Sequence, residues 1–218
     1  MCIRDRHWHC HFVQKLETEP ELEFRSMHPF CDELRTKEDS ELIERWIKGQ
    51  TGFPFLDACI SYLNSNGWIN FRMRAMIMSF ASYNLWQPWQ KTSPLLAELF
   101  TDFEPGIHIS QVQMQSGVTG INLPRIYSVF KQSLDQDPTA EWTKKIIPQL
   151  ENVETDLIHN AELRDLYFEQ IVDPKLSAKK ARDTIWAMRK NKDFKKIARE
   201  VYLKHGSRRR QQFNRASN

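Results

Sequence analysis

A chain of 218 residues with 40% hydrophobic side chains can bury a core in one large domain or two small ones, which excludes gross disorder. Its 7 Trp, 13 Phe and 5 Tyr against only 7 Gly exclude collagen-like and glycine-rich phosphate-loop architectures, and point to a packed interior or a flat-ring ligand. The net charge of +3 conceals an asymmetry: from Pro174 onward 15 Lys and Arg stand against Asp183, Asp193 and Glu200, a tail of +12 on a body of −9.

That tail, running to Ser207-Arg208-Arg209-Arg210, suits either a polyanion or a solvated helix face. No apolar run approaches the roughly 20 residues of a membrane-spanning helix, and the mean hydropathy is −0.61. Met1 to Arg6 lacks the apolar centre of a signal peptide. Cys2, Cys10, Cys31 and Cys59 show no C-x-x-C spacing, so reduced thiols in a cytoplasmic protein are expected, with no membrane partner. The oligomeric state is left unassigned.

The periodicities are helical almost throughout, and the fold class read from them is all-α. Trp8 to Leu16 reads as part of a helix, and Ser40 to Lys48 as a short one with Leu42, Ile43, Trp46 and Ile47 on its apolar stripe. Thr51-Gly52-Phe53-Pro54 is a turn with proline in the first turn of a helix that stops at Asn64-Ser65-Asn66-Gly67. A central, buried helix is expected from Trp68 to Leu85, ended by Pro88, then a short one from Ser93 to Phe100. Asp102 to Ile121, with Pro105, Gly106, Gly117 and Gly120, reads as a long functional loop. Helices are expected over Leu123–Gln132 and Pro138–Leu150, the latter with Trp142 and Ile146 on one face. An acidic connector near Glu151 to Asp156 follows, then helices over Ala161–Val172 and Lys179–His205.

The chemistry concentrates on Arg72 and Arg74, in a helix that otherwise excludes charge. Phe71, Arg74, Ala75 and Met78 share one face and Arg72 projects from the other, so the two arginines meet different partners. A buried guanidinium needs a carboxylate or an anionic ligand, and Asp102 and Glu104 are the acidic candidates for a buried pair; a purely structural ion pair is the alternative. His7, His9, Cys10 and His11 invite a metal, but no second ligand pair follows, and the expectation is no metal site. Neither G-x-S-x-G nor a Cys/His signature supports nucleophilic catalysis. His108 is either a proton donor to a ligand or a hydrogen-bonded loop residue. Trp86 and Trp89 are core residues, stacking platforms or electron relays.

The order of motifs from Trp8 to Val172 resembles the helical flavin-binding domain of the photolyase and cryptochrome family. Thr51 to Cys59 is similar to the family's T-G-F/Y-P-x-V/L-D-A-A/G, and Gly67 to Arg74 to its G-W-x-H/N-x-R-x-R. Ser79-Phe80 and Trp89 follow at the family's distances. Asp102-Phe103-Glu104 stands at its D-x-D/E, Arg125-Ile126-Tyr127 at its R-I-F/Y, and Ile147-Pro148-Gln149-Leu150 resembles L/V-P-E-L.

This resemblance implies FAD as cofactor, with Trp68, Arg74, Asp102, Phe103, Glu104 and His108 around it. His108 falls opposite flavin N5, where an ordinary imidazole would make flavin protonation pH-dependent. Trp89 matches the middle electron-relay tryptophan, whereas Val112 and about Thr36 stand where the other two belong; Trp86 offers another path. Trp8, Phe71, Arg72, Arg125 and Gln132 match DNA-facing positions, with Phe71 in place of a polar residue and Met114 in place of a lesion-contacting tryptophan. The implied activity is blue-light repair of ultraviolet-damaged DNA by electron transfer from reduced flavin, a lyase reaction. A cryptochrome-like photoreceptor is one alternative and a cofactor-free helical nucleic-acid-binding module the other.

Neither the family's α/β antenna domain nor its Ser/Thr-rich phosphate loop is found, so the domain reads as incomplete on its N-terminal side. Residues 1–6 read as a non-native start resembling a translated sequencing adapter, which makes the match of Asp5 to a lesion-binding carboxylate accidental. Residues 7–205 read as the partial helical domain and 206–218 as a basic flexible tail.

Overall fold

The computed structural model describes residues 3–205, with side chains from His7 onward. Residues 1 and 2, the Asp5 carboxylate and the tail from 206 to 218, with Ser207 to Arg210, lie outside the described residues. Eleven α-helices and no strand occur among the described residues. None of these helices is long and apolar enough to cross a membrane.

The first half follows its local signals closely. Helix α1 (Ile3–Thr18) precedes two 3-10 turns, and α2 (Ser40–Ile47) opens where Asp39 accepts a hydrogen bond from the Leu42 amide at 3.1 Å. Helix α3 (Pro54–Asn66) starts on proline and ends at Gly67, whose φ of 68° only glycine adopts freely. It is buried along most of its length, with Leu56, Cys59, Ile60 and Leu63 at the centre of the main core.

Helix α4 (Phe71–Ser79) begins three residues later than expected, because the Asn70 side chain caps it by accepting from the Met73 amide. It carries Met73, Met76, Ile77 and Met78 into the same core and runs into a π-helical turn, Phe80–Asn84. Helix α5 (Trp89–Leu99) follows.

The expected loop from Asp102 to Ile121 is instead helix α6 (Pro105–Ser116). Glu104 caps it by accepting from the Ile107 amide at 2.7 Å, Pro105 fills the first helical position, and Gly117 closes it at φ 71°. Gly106 is no loop breaker: α1 packs on α6, and a Cβ there would stand 2.7 Å from the Val13 Cα.

Later boundaries moved for similar reasons. Ser128 caps α7 (Val129–Gln136) by accepting from the Lys131 amide. Asp137 accepts from the Trp142 and Thr143 amides, so α8 is only Glu141–Ile146, ahead of Pro148. Part of the expected acidic connector is helical, as α9 (Thr155–Asn160). The helix expected over Ala161–Val172 is absent apart from one 3-10 turn, Arg164–Leu166. That segment lies against the α3 turn instead: the Ile171 amide donates to the Thr51 carbonyl at 3.0 Å, and Gln170 backbone packs where a Gly52 side chain would stand. The tail helix is two helices, α10 (Pro174–Lys190) and α11 (Lys192–His205), each with an inward edge formed by Ala181 and Ile185 or Phe194 and Val201.

Candidate functional site

Helices α4, α5 and α6 enclose a cleft of about 140 Å3 that opens to solvent at one side. The face of α4 read from the sequence, Phe71, Arg74, Ala75 and Met78, forms one wall. Leu96 and Phe100 come from α5. Asp102, Phe103 and Glu104 come from the turn that follows, and Ile107, His108, Gln111, Val112 and Gln115 from α6. Arg72 is exposed and outside this lining.

Arg74 forms a two-pronged ion pair with Asp102, Nη1 to Oδ1 and Nη2 to Oδ2, both at 3.0 Å. Its Nε donates to the Ile69 carbonyl at 2.6 Å and its guanidinium stacks 4.3 Å from the Phe100 ring centre. The pairing expected from sequence is therefore present, but it is not buried: the two side chains are 22% and 48% exposed. Asp102 lies at the open edge of the cleft, where water still reaches its carboxylate.

His108 is a helical residue, 8% exposed, not a loop residue. Its Nε2 is 3.0 Å from both the Oγ and the carbonyl oxygen of Ser93. A carbonyl only accepts, so Nε2 carries the proton and Nδ1 is left as an acceptor without a protein partner. Burial, with a smaller push from Arg74, lowers its pKa to about 4, against the raising effect of the Ser93 bond. The ordinary imidazole titration expected from the sequence is thus displaced to acid, and His108 stays neutral at neutral pH.

Of the remaining candidates, Trp68 is half exposed. It approaches Arg74 at 5.9 Å but opens onto a neighbouring groove with Tyr62, Asn70 and Trp142. Trp89 is buried in the core, its indole N–H donating to Ser26 Oγ at 3.1 Å, and does not line the cleft. Trp86 lies under the Arg35 guanidinium at 4.5 Å, and Thr36 is exposed. Trp8 is 53% exposed and stacks on Phe12, Phe71 is 56% exposed at the mouth of the cleft, and Arg125 is exposed. Gln132, by contrast, is buried on α7 with its Oε1 unpartnered. His7, His9, Cys10 and His11 are exposed, and no group of three metal-ligating side chains gathers among the described residues.

The sequence reading missed Gln111 and Gln115. Both line the cleft and carry buried amide atoms without partners. Their signal was the spacing His108, Gln111, Val112, Gln115, one face of a helix, which a loop assignment hides.

Residues 2–187 match the family model described as the FAD binding domain of DNA photolyase. A deoxyribodipyrimidine photo-lyase of Buchnera aphidicola is 33% identical over 132 residues, 59% of this chain and 28% of that protein. Cryptochrome DASH of Gloeobacter violaceus is 29% identical over 124 residues, 56% of this chain and 25% of that protein. The aligned segments thus span less than a third of these relatives. A crystal structure of an archaeal photolyase from Sulfolobus tokodaii with two FAD molecules shares the fold, with a TM-score of 0.79 at 23% identity over 85% of this chain and 44% of that one. With most of its length matched and the helical architecture shared, the chain belongs to the family of FAD-binding domains of DNA photolyase.

Proposed function

We propose that the cleft holds the isoalloxazine ring of FAD, and that the protein to which this domain contributes repairs ultraviolet-damaged DNA in blue light. The observation that carries the reading is the lining of the cleft. Phe71, Met78, Phe100, Phe103 and Val112 offer apolar surface to ring faces, while Arg74, the neutral His108 and the unpartnered Gln111 and Gln115 amides offer polar partners to ring edges. The residues present therefore fit a flat, polar-edged heterocycle.

When bound, FAD in its reduced form would supply an electron to the lesion and take it back, so that the reaction would involve no net oxidation. The chain's own part is to hold and tune. Arg74 fixes positive charge at one end of the cleft, with Asp102 orienting it. His108 Nδ1 would accept a hydrogen bond from a protonated ring nitrogen without taking up the proton, since its own pKa lies near 4. DNA contact is supported by the exposed Trp8, Phe71, Arg72 and Arg125, with Phe71 placed to stack a base at the cleft mouth. The photoreceptor reading draws on Val112, which lines the cleft where the resemblance sets a tryptophan.

The test is flavin retention by the purified chain after gel filtration in FAD, followed by illumination with ultraviolet-irradiated oligonucleotide. Arg74→Ala should abolish retention while costing only about 1–2 kcal/mol of stability, because its ion pair is half solvated and one carbonyl bond is lost with it. Retention unchanged in the variant would overturn the cleft assignment. Flavin binding without light-dependent loss of lesions would favour the photoreceptor, and DNA binding without flavin the cofactor-free module.

A further inference from the structure

Gln113 and Gln115 are two residues apart on α6 and equally buried, 1% and 2% exposed. Gln113 faces the protein and is saturated: its Oε1 accepts from the Met27 amide at 2.6 Å, and its Nε2 donates to the carbonyls of Leu22 and Arg25 at 2.7 and 2.9 Å. Gln87, also buried, has both ends of its amide engaged, by the Asp39 amide and the Leu85 carbonyl. Gln115 lines the cleft, and neither its Nε2 nor its Oε1 has a partner. One turn earlier, Gln111 lines the same cleft with its Oε1 also buried and unpartnered. Gln132 on α7 also keeps a buried Oε1 without a partner, but among the described glutamines Gln115 alone has both amide atoms buried and unpartnered, and it has them on a cleft that a ligand can enter.

An amide with a free N–H beside a free C=O is complementary to a ring edge with a C=O beside an N–H, since two parallel hydrogen bonds then form in one plane. That edge is an imide or lactam. The flavin ring has one, and so does a pyrimidine base. The apolar walls from Phe71, Met78, Leu96, Phe100 and Val112 offer a flat ring surface to stack on.

We infer that Gln115, seconded by Gln111, recognises the imide edge of the flavin ring, so that this chain selects its cofactor through side-chain amides on α6. The inference rests on the flavin reading of the cleft.

The full 218-residue chain is titrated with riboflavin and with 3-methylriboflavin, whose imide N–H is replaced by a methyl group, following flavin fluorescence. Riboflavin carries the ring without the phosphates. The wild type should bind riboflavin about tenfold tighter than its methyl derivative, the worth of one to two hydrogen bonds in a closed site. Gln115→Leu should remove that preference, and Gln115→Glu, which keeps the acceptor but loses the donor, should retain part of it. The wild-type comparison of the two ligands decides the matter even if a variant fails to fold. Equal affinity for both flavins would overturn imide recognition and leave the flavin cleft standing. No binding of either flavin would overturn the cleft reading, and this inference with it. Binding of thymidine that Gln115→Leu abolishes, with riboflavin affinity unaffected by that substitution, would overturn the assignment to the flavin ring.

Discussion

Asp57 on α3 and Gln115 on α6 are both shielded from solvent, yet the carboxylate meets four donors and the amide meets none. Thr51 gives Asp57 its amide and its hydroxyl at 2.9 and 2.6 Å, Gly52 its amide at 3.0 Å and Tyr167 its hydroxyl at 3.1 Å. These bonds tie the turn before α3, α3 itself and the segment after α9 into one knot. At Asp57 the polar group is saturated within the chain, and at Gln115, on the cleft, it is left open. The difference separates residues kept for stability from residues kept for a ligand, and each side of it makes its own prediction.

The largest effect belongs to the saturated site. Asp57→Asn replaces one acceptor oxygen with an NH2 group that faces donors, leaving at least one buried donor unpaired and another opposed. Stability should fall by about 3 kcal/mol in urea unfolding, with the cleft chemistry untouched in whatever fraction remains folded. A loss under 1 kcal/mol would mean that the knot is ornamental.

A smaller effect appears in the pH dependence, where two groups pull in opposite directions. Burial raises Asp57 to about 6 despite its four donors, so between pH 6 and 4 the folded chain holds a proton that the unfolded chain has released, and acid favours folding. Burial lowers His108 to about 4, so below pH 6.5 the unfolded chain takes a proton that the folded chain refuses, and acid disfavours folding. The contributions oppose each other across that window. His108→Asn removes one of them. Going from pH 7 to 4.5, the wild type should lose about 2 kcal/mol relative to this variant, read from the difference between their urea midpoints. Parallel midpoints would place His108 in a solvated, ordinary environment.

Much of this arrangement was legible in the sequence wherever the signal was local. Thr51 to Pro54, Gly67, and the face made by Phe71, Arg74, Ala75 and Met78 all read correctly, because a proline at a helix start, a left-handed glycine at its end and the helical period act within a few residues. Asp102 to Ile121 misled for the opposite reason. Pro105 and Gly117 are start and stop signals, but Gly106 between them looked like a breaker and is instead the contact point for α1. With the helix missed, the stripe His108, Gln111, Val112, Gln115 went unseen. Ala161 to Val172 has helical periodicity and lost it to pairing with Thr51 and Gly52, partners that no local window contains. Asp102 was found as the acid for Arg74, yet its exposure depends on the edge of a cleft that sequence does not draw.

The smallest effect is also the one whose sign separates the two sites most cleanly. If Gln115 served the fold, replacing it with leucine would cost stability, as replacing Gln113 must, since three backbone partners of Gln113 would be left unpaired. If it serves a ligand, the unbound chain carries the desolvation cost of two unpaired amide atoms and gains nothing from them. Leucine is close in volume and presents no polar atoms, so it relieves that cost while keeping the contacts of the α6 face. Gln115→Leu in the absence of flavin should therefore be neutral or more stable by about 1 kcal/mol, whereas Gln113→Leu should lose about 2 kcal/mol or more. Adding riboflavin should stabilise the wild type more than Gln115→Leu, because only tight binding to the folded state shifts the midpoint. A clear loss of stability for Gln115→Leu without ligand would put its amide among the structural bonds, and the contrast with Asp57 would disappear.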